Sequence, residues 1–337
     1  MRKVRPTIGF ILLALALALV VATFLQHHKH SGTESSKTAP AGTLSLVVEP
    51  QDGVTPETQL INRSQKSVNL VIYELQDPRL EQALASAQSR GVKVEVLLNK
   101  GYYGEQNDVN LAAFNYLRSH GVAVRWTPNY FALTHQKTLL IDNREASIMT
   151  FNFTPRYYST SRDFAINDSD QNDVRAIASA FNNDWRGQDV AAANGDDLVW
   201  SPGAAPAMIS LINSAKKSLA IYNEEMADKR IELALERAAE RGVDTRVVMT
   251  YSKSWSSDFS KLQAAGVHIH LFSSSSPIYI HAKMIVADQY RAFVGSENFS
   301  PTSLNNNREL GIILKDSTII KSLDKTFSSD YTVARAY

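Results

Sequence analysis

Two stretches of this sequence carry the same reactive residue types in the same order. The first is His135-Gln136-Lys137, followed by Asp142 and then Thr150-Phe151-Asn152. The second is His281-Ala282-Lys283, followed by Asp288 and then Gly295-Ser296-Glu297-Asn298. The histidines stand 146 residues apart, and Lys137/Lys283, Asp142/Asp288 and Asn152/Asn298 keep that offset. So do Asp163 and Glu309, each directly preceded by an arginine, Arg162 or Arg308. One His-x-Lys is a weak signal, whereas two full sets in register are a strong one. In extended backbone, residues i and i+2 point to the same face. Each His and Lys therefore project together into one pocket, with an apolar strand behind them, and a second strand brings back the asparagine. Imidazole serves as a nucleophile or proton carrier near neutral pH. Lysine and asparagine donate to an anionic oxygen. Phosphoryl chemistry uses that combination, and two copies facing one another would enclose one phosphate.

The remaining histidines read as structural. His268 and His270 alternate along an apolar run, Val267 to Leu271, where histidine is ordinarily a packing residue. His120 precedes Gly121 at an expected helix end. The cluster His27-His28-Lys29-His30 reads as a polar flank beside a membrane. A metal centre accounts poorly for His135 and His281: lysine is not a usual ligand, and no histidine lies at i, i+4 from another.

The chain resembles the phospholipase D superfamily, whose signature is His-x-Lys, four residues, Asp, six residues, then Gly-Ser or similar, x, Asn. The second copy matches throughout. The first has Met149-Thr150 where Gly-Ser is usual. Thr150 keeps the hydroxyl, and Met149 adds bulk expected to narrow the pocket or weaken phosphate binding in that half. The resemblance covers roughly residues 45–335. It implies two similar α/β sandwich halves related by a pseudo-twofold axis, with both motifs at their interface. It implies that one histidine attacks phosphorus to form a phosphohistidine. The other protonates the leaving alcohol, then activates water or an acceptor alcohol, with no metal or other cofactor. Following the family's usual order, His135 is the expected nucleophile and His281 the acid and base. Lys137, Lys283, Asn152 and Asn298 are expected to bind the non-bridging oxygens, together with Ser296 and Thr150. Asp163 and Glu309 are expected to orient the imidazoles, each reaching the histidine of the other half. Asp142 and Asp288, at the far ends of their strands, are expected in a salt bridge or turn.

The elements that must position these residues repeat as well. Lys66 to Tyr73 and Lys217 to Tyr222 read as strands after short helix ends. Helical segments follow, Pro78–Arg90 and Lys229–Arg241, each running into Arg-Gly-Val, where the glycine suits a helix C-terminus. Strands follow at Lys93–Leu98 and Thr245–Thr250, then helices ending at Gly121-Val122 and Gly266-Val267. Alternating strands and helices predict an α/β fold with a largely parallel sheet. The period is that of a duplicated domain. The halves are placed at 44–190 and 204–337, with a loop-rich boundary near 187–204.

Residues 1–30 are a different kind of segment. Arg2, Lys3 and Arg5 precede an uncharged run from Ile8 to Leu25. The run is long for a signal peptide and close to the minimum for a spanning helix. An uncleaved anchor is the preferred reading and a cleaved signal the alternative. The basic flank places the body outside the cytoplasm, membrane-anchored or secreted. Residues 31–43 read as a flexible linker. The chain of 337 residues contains no cysteine, which excludes disulfides, Cys-ligated zinc and a thiol nucleophile. Lys+Arg and Asp+Glu nearly balance at 35 and 34, and the body without its basic N-terminus is mildly acidic. That weighs against a non-specific nucleic-acid binder.

The expected substrate is a phospholipid at a membrane surface, its head-group phosphodiester hydrolysed as by a phospholipase D. A nuclease of the same superfamily, or a cardiolipin- or phosphatidylserine-synthase type of phosphatidyltransferase, are the alternatives. A nuclease would show a basic stripe, to which Lys100, Arg125, Arg156, Arg162, Lys253 and Arg308 are candidates. Expected pocket walls are the loops Asn99–Gly104, Pro128–Thr134, Tyr251–Trp255 and Ser273–Ile280, with Tyr130, Phe131 and Tyr279 as aromatic members. With both motifs in one chain, a monomer is expected.

Overall fold

A short strand, Asp77 or Asp228, and a helix open the same unit in each half. Each aspartate caps its helix by accepting the backbone N–H two residues on, from Arg79 or Arg230. The helices, Pro78–Ser89 and Lys229–Glu240, end before Gly91 and Gly242, whose φ of 87° and 83° suit glycine. The computed structural model describes residues 43–101 and 108–337. The expected anchor, the linker up to residue 42, and Tyr102, Tyr103 and Gly104 of one expected wall lie outside the described residues.

The first half contains β1 (Leu44–Glu49), β2 (Ser67–Ile72), β3 (Lys93–Leu98), β4 (Ala123–Trp126), β5 (Thr138–Ile141), β6 (Glu145–Met149) and β7 (Ser161–Asp168). They form one sheet in the order β1-β7-β6-β5-β2-β3-β4. The second half contains β8 (Leu198–Ser201), β9 (Ser218–Tyr222), β10 (Asp244–Thr250), β11 (His268–Phe272), β12 (Tyr279–Ile280), β13 (Lys283–Ala287), β14 (Arg291–Gly295), β15 (Glu309–Leu314) and β16 (Arg335–Ala336). Its sheet runs β16-β11-β10-β9-β13-β14-β15-β8. The expected loop-rich boundary at 187–204 thus includes β8, the edge strand of the second sheet, so the second half begins before residue 204.

The sheets are mixed, which corrects the expectation of a largely parallel sheet. Along the two strand orders, β2-β3-β4 and β9-β10-β11 run parallel and the other described neighbours antiparallel. The strands that follow each His-x-Lys return antiparallel. The cause is local. Asp142 and Asn143 have φ of 55° and 52°, and Asp288 and Gln289 have 55° and 53°. Two successive left-handed residues make the type I′ turn that matches the twist of a hairpin.

The aspartates in these turns also staple the hairpin to its neighbour. Asp142 accepts the backbone N–H groups of Lys66 at 2.7 Å and Ser67 at 2.9 Å, at the start of β2. Asp288 does the same with Lys217 at 2.7 Å and Ser218 at 3.0 Å, at the start of β9. Burial opposes their ionisation, yet these backbone donors hold both carboxyls below the ordinary value. The turn role is realised; the partners are backbone amides rather than a salt bridge.

Both halves belong to one compact unit. Each sheet packs its outer face on its own apolar core, Leu70, Leu84 and Phe153 in the first half and Ile221, Leu235 and Phe259 in the second. The inner faces share a central core, in which Ile148 and Phe164 meet Met284, Val294 and Phe327. Two long helices, Gln171–Arg186 and Ser317–Val333, contribute to that shared core.

The halves also exchange backbone. β12 pairs in parallel with β7 of the other half, and Thr134 bridges to Arg308. His135 N–H and Gln136 N–H both donate to Arg308 O at 2.9 Å, and Ala282 N–H donates to Arg162 O at 2.9 Å. Each histidine therefore enters its site leaning on the strand that carries the other half's carboxylate.

Candidate active site

The crossing described above decides which groups meet. His281 Nδ1 lies 2.9 Å from Asp163 Oδ1, and His135 Nδ1 lies 2.9 Å from Glu309 Oε2. Each carboxylate reaches the imidazole of the opposite half. His135 Nδ1 also faces Ser296 O at 3.2 Å. Both neighbours are acceptors, so Nδ1 carries the proton and the Nε2 lone pair is left for chemistry. Burial first, and the Lys137 charge second, push the His135 imidazole below its ordinary pKa, against the opposing pull of Glu309. Glu309 is held below the ordinary carboxyl value: burial opposes this, but His135, Lys137 and the Ser303 hydroxyl outweigh it.

The carboxylates are themselves fixed. Glu309 Oε1 accepts from Ser303 Oγ at 2.7 Å and Asn307 Nδ2 at 3.1 Å. Asp163 Oδ1 accepts from Thr150 Oγ1 at 2.5 Å, and Thr150 Oγ1 accepts Phe164 N–H at 2.9 Å. Ser296 Oγ accepts Leu310 N–H at 3.1 Å. Thr150 and Ser296 are fully buried and off the cavity wall. Their hydroxyls are used on strand backbone and, for Thr150, on the Asp163 carboxylate.

Met149 does not narrow the pocket either. It is fully buried in the first half's outer core, opposite Ala165. Its counterpart Gly295 lies opposite Gly311, and a Cβ there would fall 2.5 Å from the Gly311 Cα and 2.8 Å from the Phe293 ring. In the first half Ser147 occupies the position of Phe293. The smaller serine leaves the room that Met149 fills.

The two histidines, Asn152 and Asn298 line a single cavity of about 560 Å³. Asn152 Oδ1 accepts Glu74 N–H at 3.2 Å, which turns its amide NH₂ toward the cavity. Lys137 and Lys283 lie beneath the wall, almost fully buried, each donating from Nζ to the carbonyl of its own motif's histidine. Lys137 also stands 5.2 Å from the centroid of the Tyr73 ring, and burial above all pushes its pKa down to about 7.

Several wall residues carried no advance signal. Glu224 Oε2 lies 3.0 Å from Lys283 Nζ, 3.5 Å from His281 Nε2 and 3.5 Å from Asn298 Nδ2. Glu224 Oε1 accepts from Tyr279 OH at 2.8 Å. Glu49 is almost fully buried on the wall, and neither of its carboxyl oxygens has a hydrogen-bond partner. Burial first, then Asp163, raise its pKa to about 8. Of the expected walls, Leu133 and Tyr279 reach the cavity. Tyr130 instead donates to Gln188 O at 3.1 Å, Phe131 packs on Arg308, and Tyr251–Trp255 stand away from the cavity.

The candidate basic stripe is dispersed. Arg162 is buried against Asp330 at 2.7 Å, and Arg308 against Asp184 at 2.8 Å. Arg125 lies over the Trp185 ring. Lys100 and Lys253 are exposed and do not line the cavity. Among the described wall residues, Arg156 is the only arginine or lysine, beside Glu49, Glu74, Asp163, Glu224 and Glu225. His268 is exposed on its strand. His270 is stacked on Tyr331, and His120 ends a helix, its Nδ1 2.8 Å from Tyr116 O.

The comparisons with known proteins agree with this geometry. A family described as "Cardiolipin synthase, PLD-like domain" matches twice, over residues 58–185 and 208–331. Cardiolipin synthase B of Salmonella typhi is 26% identical over 293 residues, spanning 73% of this chain and 68% of that protein. A cardiolipin synthase of Clostridium perfringens strain 13 is 24% identical over 328 residues, spanning 81% and 67%. Among solved structures, phosphatidylserine synthase of Haemophilus influenzae Rd KW20 shares the fold with a TM-score of 0.71 at 11% identity, covering 89% of this chain and 88% of that one. Polyphosphate kinase of Porphyromonas gingivalis does so with a TM-score of 0.66 at 16% identity, covering 85% and 46%. With two family segments that together fill most of its length and fold on one another, the chain belongs to the phospholipase D superfamily.

Proposed function

We propose that this protein is a phosphatidyltransferase. It takes the phosphatidyl group from the head-group phosphodiester of one phospholipid and passes it to an acceptor alcohol. The observation that supports this most is the pair of crossed imidazole–carboxylate contacts on one cavity. His135 Nε2, unprotonated, attacks phosphorus; the P–N bond forms as the P–O bond to the head group breaks. His281 Nε2–H gives its proton to the departing oxygen. His281 then takes the proton of the acceptor hydroxyl, whose oxygen attacks phosphorus and frees His135. Asp163 and Glu309 hold the two rings; Asn152 and Asn298 on the wall face the non-bridging oxygens, and the charges of Lys137 and Lys283 lie directly beneath them.

Hydrolysis, the reaction expected from the sequence, differs only in that water replaces the alcohol. The names of the relatives favour transfer. The acidic wall favours a lipid carrying one phosphate over a nucleic acid, whose binding draws on many cations along the strand. The apolar N-terminal run, read as an anchor, would keep the cavity at a bilayer.

The test is to incubate the full chain with phosphatidylglycerol vesicles and excess chelator, and with single-stranded DNA in parallel. Cardiolipin and glycerol are the expected products, absent with His135→Ala. Phosphatidic acid without cardiolipin would establish a hydrolase. Cleaved DNA, or no product in any arm, would overturn the lipid reading.

A further inference from the structure

The two halves match at the histidine, lysine and asparagine of each motif, but not at a residue beside them on the cavity wall. The strands β2 and β9, and the capping aspartates Asp77 and Asp228, correspond at a constant offset of 151 residues. Leu75 and Met226 keep that offset and make the same bridge, to Phe153 and Phe299. By the same offset Tyr73 is the counterpart of Glu224. Tyr73 sets its ring edge against His135, with centroids 4.8 Å apart. Glu224 instead places one carboxylate oxygen among the Nζ of Lys283, the Nε2 of His281 and the Nδ2 of Asn298. Those three donors converge where a non-bridging phosphate oxygen would sit. The other Glu224 oxygen is tethered by Tyr279, and the side chain keeps 24% of its surface open to the cavity.

We propose that Glu224 is a charge-selecting residue: it supplies one fixed negative charge to the phosphate subsite, so that the site accepts singly charged phosphodiesters and rejects doubly charged phosphates. This rests on the reading of the cavity as a phosphate site. The physical reason is Coulombic. A diester brings one negative charge beside the Glu224 carboxylate, and a monoester or sulfate brings nearly two. In a partly desolvated pocket each further unit of repulsion at contact range is large enough to change affinity by tenfold or more. Tyr73 exerts no such repulsion, so at this pair of matched positions the charge is supplied by the second half alone. It separates lipid phosphodiesters from the phosphomonoesters and inorganic anions that share the phosphoryl group.

The experiment titrates the full chain with sodium sulfate and with dimethyl phosphate, and reads apparent affinity from thermal shifts. Wild type is expected to favour dimethyl phosphate. Glu224→Gln is expected to gain about tenfold or more for sulfate and clearly less for dimethyl phosphate. Tyr279→Phe, which frees the carboxylate without removing its charge, is expected to keep the wild-type preference. Equal gains for both anions in Glu224→Gln, or no gain, would overturn the charge-selecting role while leaving the phosphate site intact. If neither anion binds any variant, or if Lys283→Met leaves binding unchanged, the phosphate-site reading itself fails.

Discussion

His135 and His281 sit in matching motifs, yet their surroundings divide the work. His135 Nδ1 is committed to Glu309 and Ser296 O, and a tyrosine ring packs against its imidazole. His281 has a carboxylate near each nitrogen, Asp163 at 2.9 Å and Glu224 at 3.5 Å. An anion beside Nε2 opposes approach of that nitrogen to a charged phosphorus centre and suits a proton carrier. His135→Ala and His281→Ala are each expected to lose turnover of lipid by roughly 10²–10⁴-fold or more. A phosphodiester with a p-nitrophenol leaving group needs no proton donor. His281→Ala is expected to recover release of nitrophenol from it, and His135→Ala is not. The reverse pattern would exchange the two roles. Glu49 makes a separate prediction about pH. Its proton is held up to about pH 8 in the folded chain and only to about 4.5 in the ordinary state. Below that lower value both states are protonated. As pH rises between the two, only the unfolded chain releases the proton, so stability falls, and it levels off above the upper value. Glu49→Gln removes the linkage. Its Tm relative to wild type is expected to climb by several degrees between about pH 5 and about pH 9. A gap that stays constant would show that the carboxyl ionises normally.

At the scale of elements, the repeat carried most of the information. Two motifs at one offset located both histidines, both lysines and both asparagines. The same offset also picked out Asp163 and Glu309, but their crossing to the opposite histidine came from the family resemblance and not from the spacing. What the repeat could not show is where the copies differ. Tyr73 and Glu224 share neither residue type nor the 146-residue spacing, so the motif offset does not single them out; they pair only at the 151-residue offset of the β2 and β9 units. Strand direction was legible in principle, since Asp-Asn between two apolar runs is a hairpin signal, but the alternation of strands and helices pointed to parallel pairing. The exchange of Met149 for glycine needed a partner to be understood. Met149 fills space that Phe293 fills in the second half, and Ser147 makes the room. Met149→Gly is therefore expected to cost about 2–5 kcal/mol as a core truncation, with no gain in turnover. Denaturant unfolding and an activity assay check both. A faster enzyme would mean that the methionine does narrow the pocket.

The whole molecule depends on contacts that cross between the halves, and these are polar as well as apolar. Asp184, on the helix Gln171–Arg186, holds Arg308 of the second half; Asp330, on the helix Ser317–Val333, holds Arg162 of the first. Both pairs are nearly excluded from solvent. The carbonyl of each arginine receives the backbone N–H groups beside the opposing histidine. A cross-half ion pair thus sits directly behind each imidazole–carboxylate contact, and the arginines that could have served a nucleic acid serve the interface. Removing one partner leaves a buried charge unpaired. Asp184→Asn is expected to destabilise the protein by about 3–5 kcal/mol in denaturant unfolding. It is also expected to lower kcat, because Arg308 O positions His135. Replacing both members, with Asp184→Leu and Arg308→Met, removes the charges together and is expected to restore much of the stability. Activity is expected to return less completely, since the new side chains do not fix the Arg308 backbone as the ion pair does. A double-mutant cycle separates these terms. A coupling energy below about 0.5 kcal/mol would show that the pair is spectator to the interface, and that the shared apolar core alone brings the two motifs together.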